Sequence, residues 1–320
     1  MGSKLAGEKK ILIKGGTTVV GPTVCQQDVL IEGERISALG DFSVRTADVV
    51  IDASGLLVLP GAVDTHVHFN DSFMSTTSVH DYYTGTLAAA FGGVTAVVDF
   101  SNQTATGSLL DTLERKRKEA EGLALVDWGV HPVITRPSPE NLDEIPILIE
   151  RGAPTIKGYM TYRKEGLMVG LDGLKKVLKK LSESNGMLMV HAEDNKKIEK
   201  NVPSFIGAGL TKPIYHARSR PPDTENIAIQ SCIRMARETN GRLFIVHMAT
   251  AEGVELVRAA RAEGLDVFAE TCTHYLVFTE DMLEREDGIK WICSPPLRSR
   301  EVQDCLWAAL QEGLISMVTS

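Results

Sequence analysis

The feature that most restricts the fold is a regular exchange of two hydrophobic periods that begins at Leu57 and runs on through the chain. Short apolar runs of β type are expected from Leu57 onward and at 95–100, 126–134, 155–160, 187–191, 243–247, 266–271 and 314–319. Helix-period segments are expected between them, at 82–91, 109–121, 142–150, 171–184, 224–238, 253–263 and 302–312. Gly92-Gly93, Asn185-Gly186 and Asn240-Gly241 supply stop signals behind three of these. Eight strands separated by seven helices point to an α/β protein built as a TIM-type (β/α)8 barrel. The alternative is an open doubly wound sheet. It would want a glycine-rich phosphate loop after an early strand, and no GxGxxG pattern is present.

The first 57 residues read differently. Runs at 11–13, 17–20, 28–31, 35–39 and 49–51 are short and β-type, punctuated by Gly15-Gly16, Gly21-Pro22 and Gly33-Glu34, with no helix pattern among them. Such a unit is too short to enclose a good core alone. The expected division is therefore 1–57 as a small β unit and 58–320 as the barrel.

In a barrel of this kind the active site lies at the C-terminal ends of the strands. Strand one ends in His66-Val67-His68. Side chains two apart on an extended chain point the same way, so both imidazoles face one side, as two ligands of one metal ion would. Strand four carries Lys157, strand five ends in Val190-His191-Ala192-Glu193, and strand six in Val246-His247. Each has a structural alternative: a lone histidine here reads as a hydrogen-bonded core residue. Lys157 is harder to explain that way, because lysine is almost never fully buried unless paired. A desolvated lysine is readily neutral, and a neutral amine adds carbon dioxide to give a carbamate able to bridge two metal ions. Four of the chain's eight histidines and this lysine thus fall on one face, which points to a two-metal site.

The chain has 320 residues and a net charge of −8, which gives no electrostatic footprint for nucleic acid. No apolar run is long enough to span a bilayer, and the first ten residues are polar, without the apolar core of a secretory signal. Cys25, Cys232, Cys272, Cys293 and Cys305 are scattered with no CxxC pair, which fits a reducing cytoplasm.

With these residues in view, the chain resembles the cyclic amidohydrolases of the dihydropyrimidinase and hydantoinase family, over residues 10–320. The resemblance is carried by Pro60-Gly61-Ala62-Val63-Asp64-Thr65-His66-Val67-His68, Lys157, Val190-His191-Ala192-Glu193, Val246-His247, the run Ala269-Glu270-Thr271-Cys272-Thr273-His274-Tyr275-Leu276, and Ser294-Pro295-Pro296-Leu297-Arg298. It implies that His66 and His68 bind one metal ion, that His191 and His247 bind a second, and that Lys157, carboxylated by carbon dioxide, bridges them. Zinc is the expected metal, with manganese or iron as alternatives. Tyr162 matches a tyrosine that binds substrate and steadies the oxyanion, and Ser294 a position whose backbone holds the ring amide. The implied reaction opens the cyclic amide of a dihydropyrimidine or 5-substituted hydantoin to an N-carbamoyl amino acid, in a homotetramer or homodimer. The β unit becomes the N-terminal part of a β-sandwich.

Within the family, dihydroorotase relatives carry an arginine two residues after the second histidine to hold a substrate carboxylate, and Asn70 stands there instead. Allantoinase is an alternative, since His66-Val67-His68-Phe69-Asn70 resembles its motif equally. A second is a non-catalytic assembly protein like the collapsin response mediators, and the retained histidines and Lys157 argue against it. The loops 69–77 and 159–165 are expected to shape specificity. The family's acid/base aspartate, also a metal ligand, closes strand eight and is expected just past Ser320, on the reading that the 320 residues are a fragment ending after that strand. Turnover by this chain is then expected to fall at least roughly 10²–10⁴-fold below that of a longer parent, the range for general acid–base assistance. Assay of both on dihydrouracil with added zinc, at matched folded concentration, measures this, and comparable turnover would place the base within residues 1–320.

Overall fold

The computed structural model describes residues 9–42, 46–73 and 75–320. The polar residues 1–8 and Met74 of the first specificity loop lie outside them. The chain divides into two units, Met1–Ala62 and Val63–Ser320.

The first unit has two sheets. In one, Arg35–Gly40, Asp28–Glu32, Lys10–Lys14 and Val49–Asp52 lie side by side in that order. In the other, Thr23–Gln26, Thr17–Val20 and Leu57–Val58 do so. Leu12, Val29 and Leu30 are buried between strands, while Val24, Ile36, Val50 and Leu57 remain exposed. Leu57-Val58, expected as the start of the first barrel strand, pairs in parallel with Thr17-Thr18 and belongs here. Pro60 has no N–H for a ladder and interrupts the run, so the barrel strand starts two residues later.

The second unit is an eight-stranded parallel barrel. Its strands are Ala62–Val67, Val94–Asn102, Asp127–Val133, Thr155–Tyr159, Met187–His191, Arg242–Ile245, Val267–Cys272 and Met317–Thr319, neighbours in sequence order throughout. The last returns to the first, where the Ser320 N–H donates to Asp64 Oδ1 at 3.4 Å. Helices Tyr82–Phe91, Leu109–Ala120, Leu171–Glu183, Pro222–Thr239, Ala251–Ala262 and Arg300–Gln311 match the expected positions to within a few residues. The expected helix at 142–150 is two short ones, Pro139–Asp143 and Ile145–Glu150, because Pro146 cannot donate into a continuous ladder. Two further helices, Asn195–Gly207 and Ile214–Ser219, follow strand five where none was expected.

Strand alternation sorts the residues. Val133, Lys157, Met189, Phe244 and Phe268 are successive register partners and therefore share one side of the sheet. That side is the interior, where Phe100, Val133, Tyr159, Met189, Phe244 and Val246 form one buried cluster. Their neighbours Ile156, Leu188, Val190, Leu243, Ile245 and Ala269 face outward into the larger core beneath the helices. Helix Leu171–Glu183 shows how that layer is made. Leu174, Val177, Leu178 and Leu181 recur at i, i+3, i+4 and i+7, and all four are buried.

A buried ion pair fixes the exit from strand one. Lys116, on helix Leu109–Ala120, places Nζ 2.9 Å from Asp99 Oδ2 and donates to the carbonyl of Phe69. Asp99 Oδ1 accepts from the Phe69 N–H at 3.3 Å. Both charged side chains are buried, so each is needed by the other. Lys116→Met strands the Asp99 carboxylate and should destabilise the fold by about 3–5 kcal/mol in urea unfolding. Lys116→Met combined with Asp99→Asn should recover most of that loss, and a single variant of wild-type stability would show that the pair contributes nothing.

Candidate metal centre and substrate cavity

The barrel's C-terminal face opens into a cavity of about 410 Å³. All seven residues singled out from sequence line it: His66, His68, Lys157, Tyr162, His191, His247 and Ser294. His66 and His68 are 5.3 Å apart between ring centroids, His66 and His247 5.4 Å, and His191 and His247 4.5 Å. Lys157 has no exposed surface. Its Nζ has no hydrogen-bond partner and lies 4.6 Å and 5.1 Å from the ring centroids of Phe100 and Tyr159.

Three of the four imidazoles are tied by one nitrogen to a carboxylate. His68 Nδ1 lies 2.9 Å from Asp71 Oδ2, His191 Nε2 2.8 Å from Glu193 Oε2, and His66 Nδ1 2.5 Å from Glu270 Oε1. A carboxylate accepts, so the tied nitrogen carries the proton and the other keeps its lone pair. That carboxylate–imidazole arrangement orients metal-binding histidines. The fourth, His247, has a buried Nδ1 with no partner at all. Burial lowers the pKa of His66, His191 and His247, the first and last of them strongly, so these rings are neutral donors. Burial likewise pushes Lys157 down and Glu270 up. Burial alone would raise Glu193 too, but the bond to His191 and the Arg220 and Arg298 charges outweigh it and its pKa is lowered.

Among the described residues no three histidine, cysteine or carboxylate side chains close on one point, as a single ion held wholly by such groups would require. The four imidazoles instead run in one row, His68, His66, His247 and His191, lining the same cavity as the unpartnered lysine. That donor set fits two ions sharing an anionic ligand.

Two of these positions are backbone exceptions. Tyr162 has φ 65° and His247 φ 41°, both in the left-handed region that non-glycine residues avoid. Regular alternation would aim His247 outward, since Val246 before it faces inward. The left-handed turn re-aims it into the cavity. Such strain costs on the order of 1–3 kcal/mol and gathers at functional sites.

The expected loops contribute as well. Ser72–Phe73 and Thr76–Thr77 form a two-stranded ribbon, and Phe73 packs 5.0 Å from the Tyr162 ring. Several wall residues had not been singled out as site residues: Asp71, Asn102, Cys272, His274 and Cys293. A carboxylate two or three residues beyond a strand-end histidine was the available signal for Asp71 and Glu193. His274 Nε2 is buried without a partner.

Barrel and site together define a hydrolase-type centre built on strand ends. The model of the amidohydrolase family matches residues 57–320. The chain is 39% identical over 314 residues to a D-phenylhydantoinase of Escherichia coli O1:K1 / APEC, covering 97% of this chain and 68% of that protein. It superposes with TM-score 0.94 and 36% identity on the crystal structure of dihydropyrimidinase from Brevibacillus agri NCHU1002, over 97% of this chain and 68% of that one. For L-hydantoinase (dihydropyrimidinase) from Arthrobacter aurescens the values are 0.87 and 30%, over 98% and 69%. The chain belongs to the amidohydrolase family, among its hydantoinases and dihydropyrimidinases.

One further histidine sits deeper. His131, two residues before Val133 on strand three, donates from Nε2 to the Thr65 carbonyl at 3.1 Å and takes the Thr155 hydroxyl at Nδ1. Burial lowers it to about 4, against 6.5 for a free imidazole. Below pH 6.5 the unfolded chain therefore binds a proton that the folded chain refuses. This contribution to stability is complete above pH 6.5 and is lost as pH falls towards 4. His131→Gln should flatten the dependence of unfolding free energy on pH in that window by about 1.4 kcal/mol per pH unit. Urea unfolding at stepped pH measures this, and an unchanged slope would mean His131 is charged in the fold.

Proposed function

We propose that this site hydrolyses the ring amide of a dihydropyrimidine or a 5-substituted hydantoin, releasing an N-carbamoyl amino acid. The observation that carries the reading is the convergence of four strand-end imidazoles and an unpartnered, wholly buried lysine on one cavity. His66 and His68 would hold one divalent ion and His191 and His247 another, zinc in the first instance. Lys157, pushed down to about 7 by burial and so available as a neutral amine, would take up carbon dioxide and lose a proton, becoming a carbamate. Bound ions of this kind activate water as a nucleophile near neutral pH and polarise the carbonyl.

The remaining work falls to the chain's own side chains. Burial first, and then the Glu193 charge, raise the Tyr162 phenol, so it stays protonated and able to donate. Its ring lines the cavity 5.2 Å from that of His191, and its hydroxyl would serve there as donor to the charge on a tetrahedral oxygen. Ser294 lines the same cavity as Tyr162 and would offer its backbone N–H and carbonyl to the C=O and N–H of a cyclic amide. Phe73, Tyr159 and Leu167 line the same cavity with apolar surface for a ring substituent. Five free cysteines support a reducing, cytoplasmic setting, and a homo-oligomer follows from the family resemblance.

Assay on dihydrouracil, phenylhydantoin and allantoin tests the substrate class. Lys157→Ala in the full-length protein should lose bound metal and activity together, and unchanged metal content would sink the bridging role. Tyr162→Phe should lower kcat by roughly a hundredfold or more, the effect of one oxyanion donor, with little change in melting temperature. Wild-type kcat with a lower melting temperature would make Tyr162 a packing residue.

A further inference from the structure

Behind the cavity wall runs a line of polar contacts, hydrogen bonds joined at one point by a 4.0 Å ion pair. It starts at His191, whose Nε2 meets Glu193 Oε2 at 2.8 Å. The other oxygen of Glu193 lies 4.0 Å from Arg220 Nε. Arg220 Nη1 donates to His216 Nδ1 at 3.3 Å. His216 Nε2 donates to the Cys293 carbonyl at 2.8 Å and lies 3.3 Å from Ser294 Oγ. Arg298, five residues along from Cys293, closes the circuit by donating from Nη1 to the Arg220 carbonyl at 2.7 Å. Cys293 and Ser294 line the cavity, as His191 does.

The tautomer of His216 follows from its partners. A guanidinium only donates, so Nδ1 must be the acceptor, and the ring proton sits on Nε2 facing the Cys293 carbonyl. Burial, and next the Arg220 charge, lower this imidazole to about 4, so it is neutral across the working pH range. The ring thus acts as a rigid two-ended connector. Helix Ile214–Ser219, which carries it, is one of the two helices inserted after strand five. Close along the same segment, the Tyr275 hydroxyl donates to the Pro295 carbonyl at 2.6 Å.

We infer that His216 is a positioning residue for substrate: by donating to the Cys293 carbonyl while accepting from Arg220, whose charge faces Glu193 beside His191, it holds the Ser294 backbone in register with the histidine cluster. The inference rests on the proposed amidohydrolase reading, in which Ser294 receives the ring amide. His216 touches neither substrate nor reacting atoms. Because the contact it fixes is made to the bound ring as well as to the transition state, its loss should appear in KM and leave kcat largely intact.

The experiment is steady-state hydrolysis of phenylhydantoin and dihydrouracil by the metal-loaded full-length protein and three variants of it, with metal content and melting temperature measured alongside. His216→Ala and the ring-filling His216→Phe should each raise KM about tenfold, the scale of one lost hydrogen bond, with kcat within about threefold and metal content unchanged. His216→Gln can donate to Cys293 and accept from Arg220 at once, and should return KM to within about threefold of wild type. The Phe variant decides the matter if the Ala variant does not fold. Wild-type KM in the Phe variant, a KM rise that Gln does not reverse, or a fall in kcat at constant KM would each overturn the assignment. Absence of turnover by the full-length wild-type protein on every cyclic amide would instead overturn the reading of the site on which it rests, and is seen without any variant.

Discussion

A lysine with no access to water, set among aromatic rings inside a parallel barrel, is the constraint around which the site is arranged. An ammonium at that depth has lost its hydration, and the ring faces of Phe100 and Tyr159 replace only part of it. The favoured outcomes are neutralisation or conversion to a group with partners of its own. His66, His191 and His247 beside it are kept neutral for the same reason. Without a further occupant the cluster offers lone pairs and an amine to an otherwise apolar interior, an arrangement that a fold would not maintain for stability alone.

Charge compensation lies one layer out. Glu270, Glu193 and Asp71 each hold a histidine, and Arg220 and Arg298 stand behind Glu193. Barrel geometry makes this possible, because strand ends supply the ligands while the turns and helices after them supply the supports. The inserted helices after strand five extend that outer layer to the segment at 293–298. One polar network thereby reaches both the histidine side and the Ser294 side of the cavity.

The likeness to hydantoinases and dihydropyrimidinases, at 30–39% identity with TM-scores of 0.87–0.94 for the structures, covers nearly the whole chain. It is a statement about fold and family. Which ring the cavity accepts depends on walls such as Phe73, Leu167 and His274, drawn from the ribbon at 72–77, the segment after strand four and the turn after strand seven.

The barrel and its principal side chains were legible in the sequence because they rest on local periodicities. Strand alternation put His66 and His68 on one side, and strand order put Lys157, His191 and His247 at one end of the sheet. Both need only the repeat of the backbone itself. Three things required the fold. Pro60 moved Leu57-Val58 into another sheet, a matter of which ladder a short run finds. His247 faces the cavity only through a left-handed backbone against its strand's alternation, and tertiary contacts must stabilise such a conformation. His216 and Cys293 are 77 residues apart, and nothing local in either segment encodes their contact. Sequence by itself determined which residue types stand at the strand ends. Only packing between distant segments decided which nitrogens are tied, which are free, and what holds the wall that faces them.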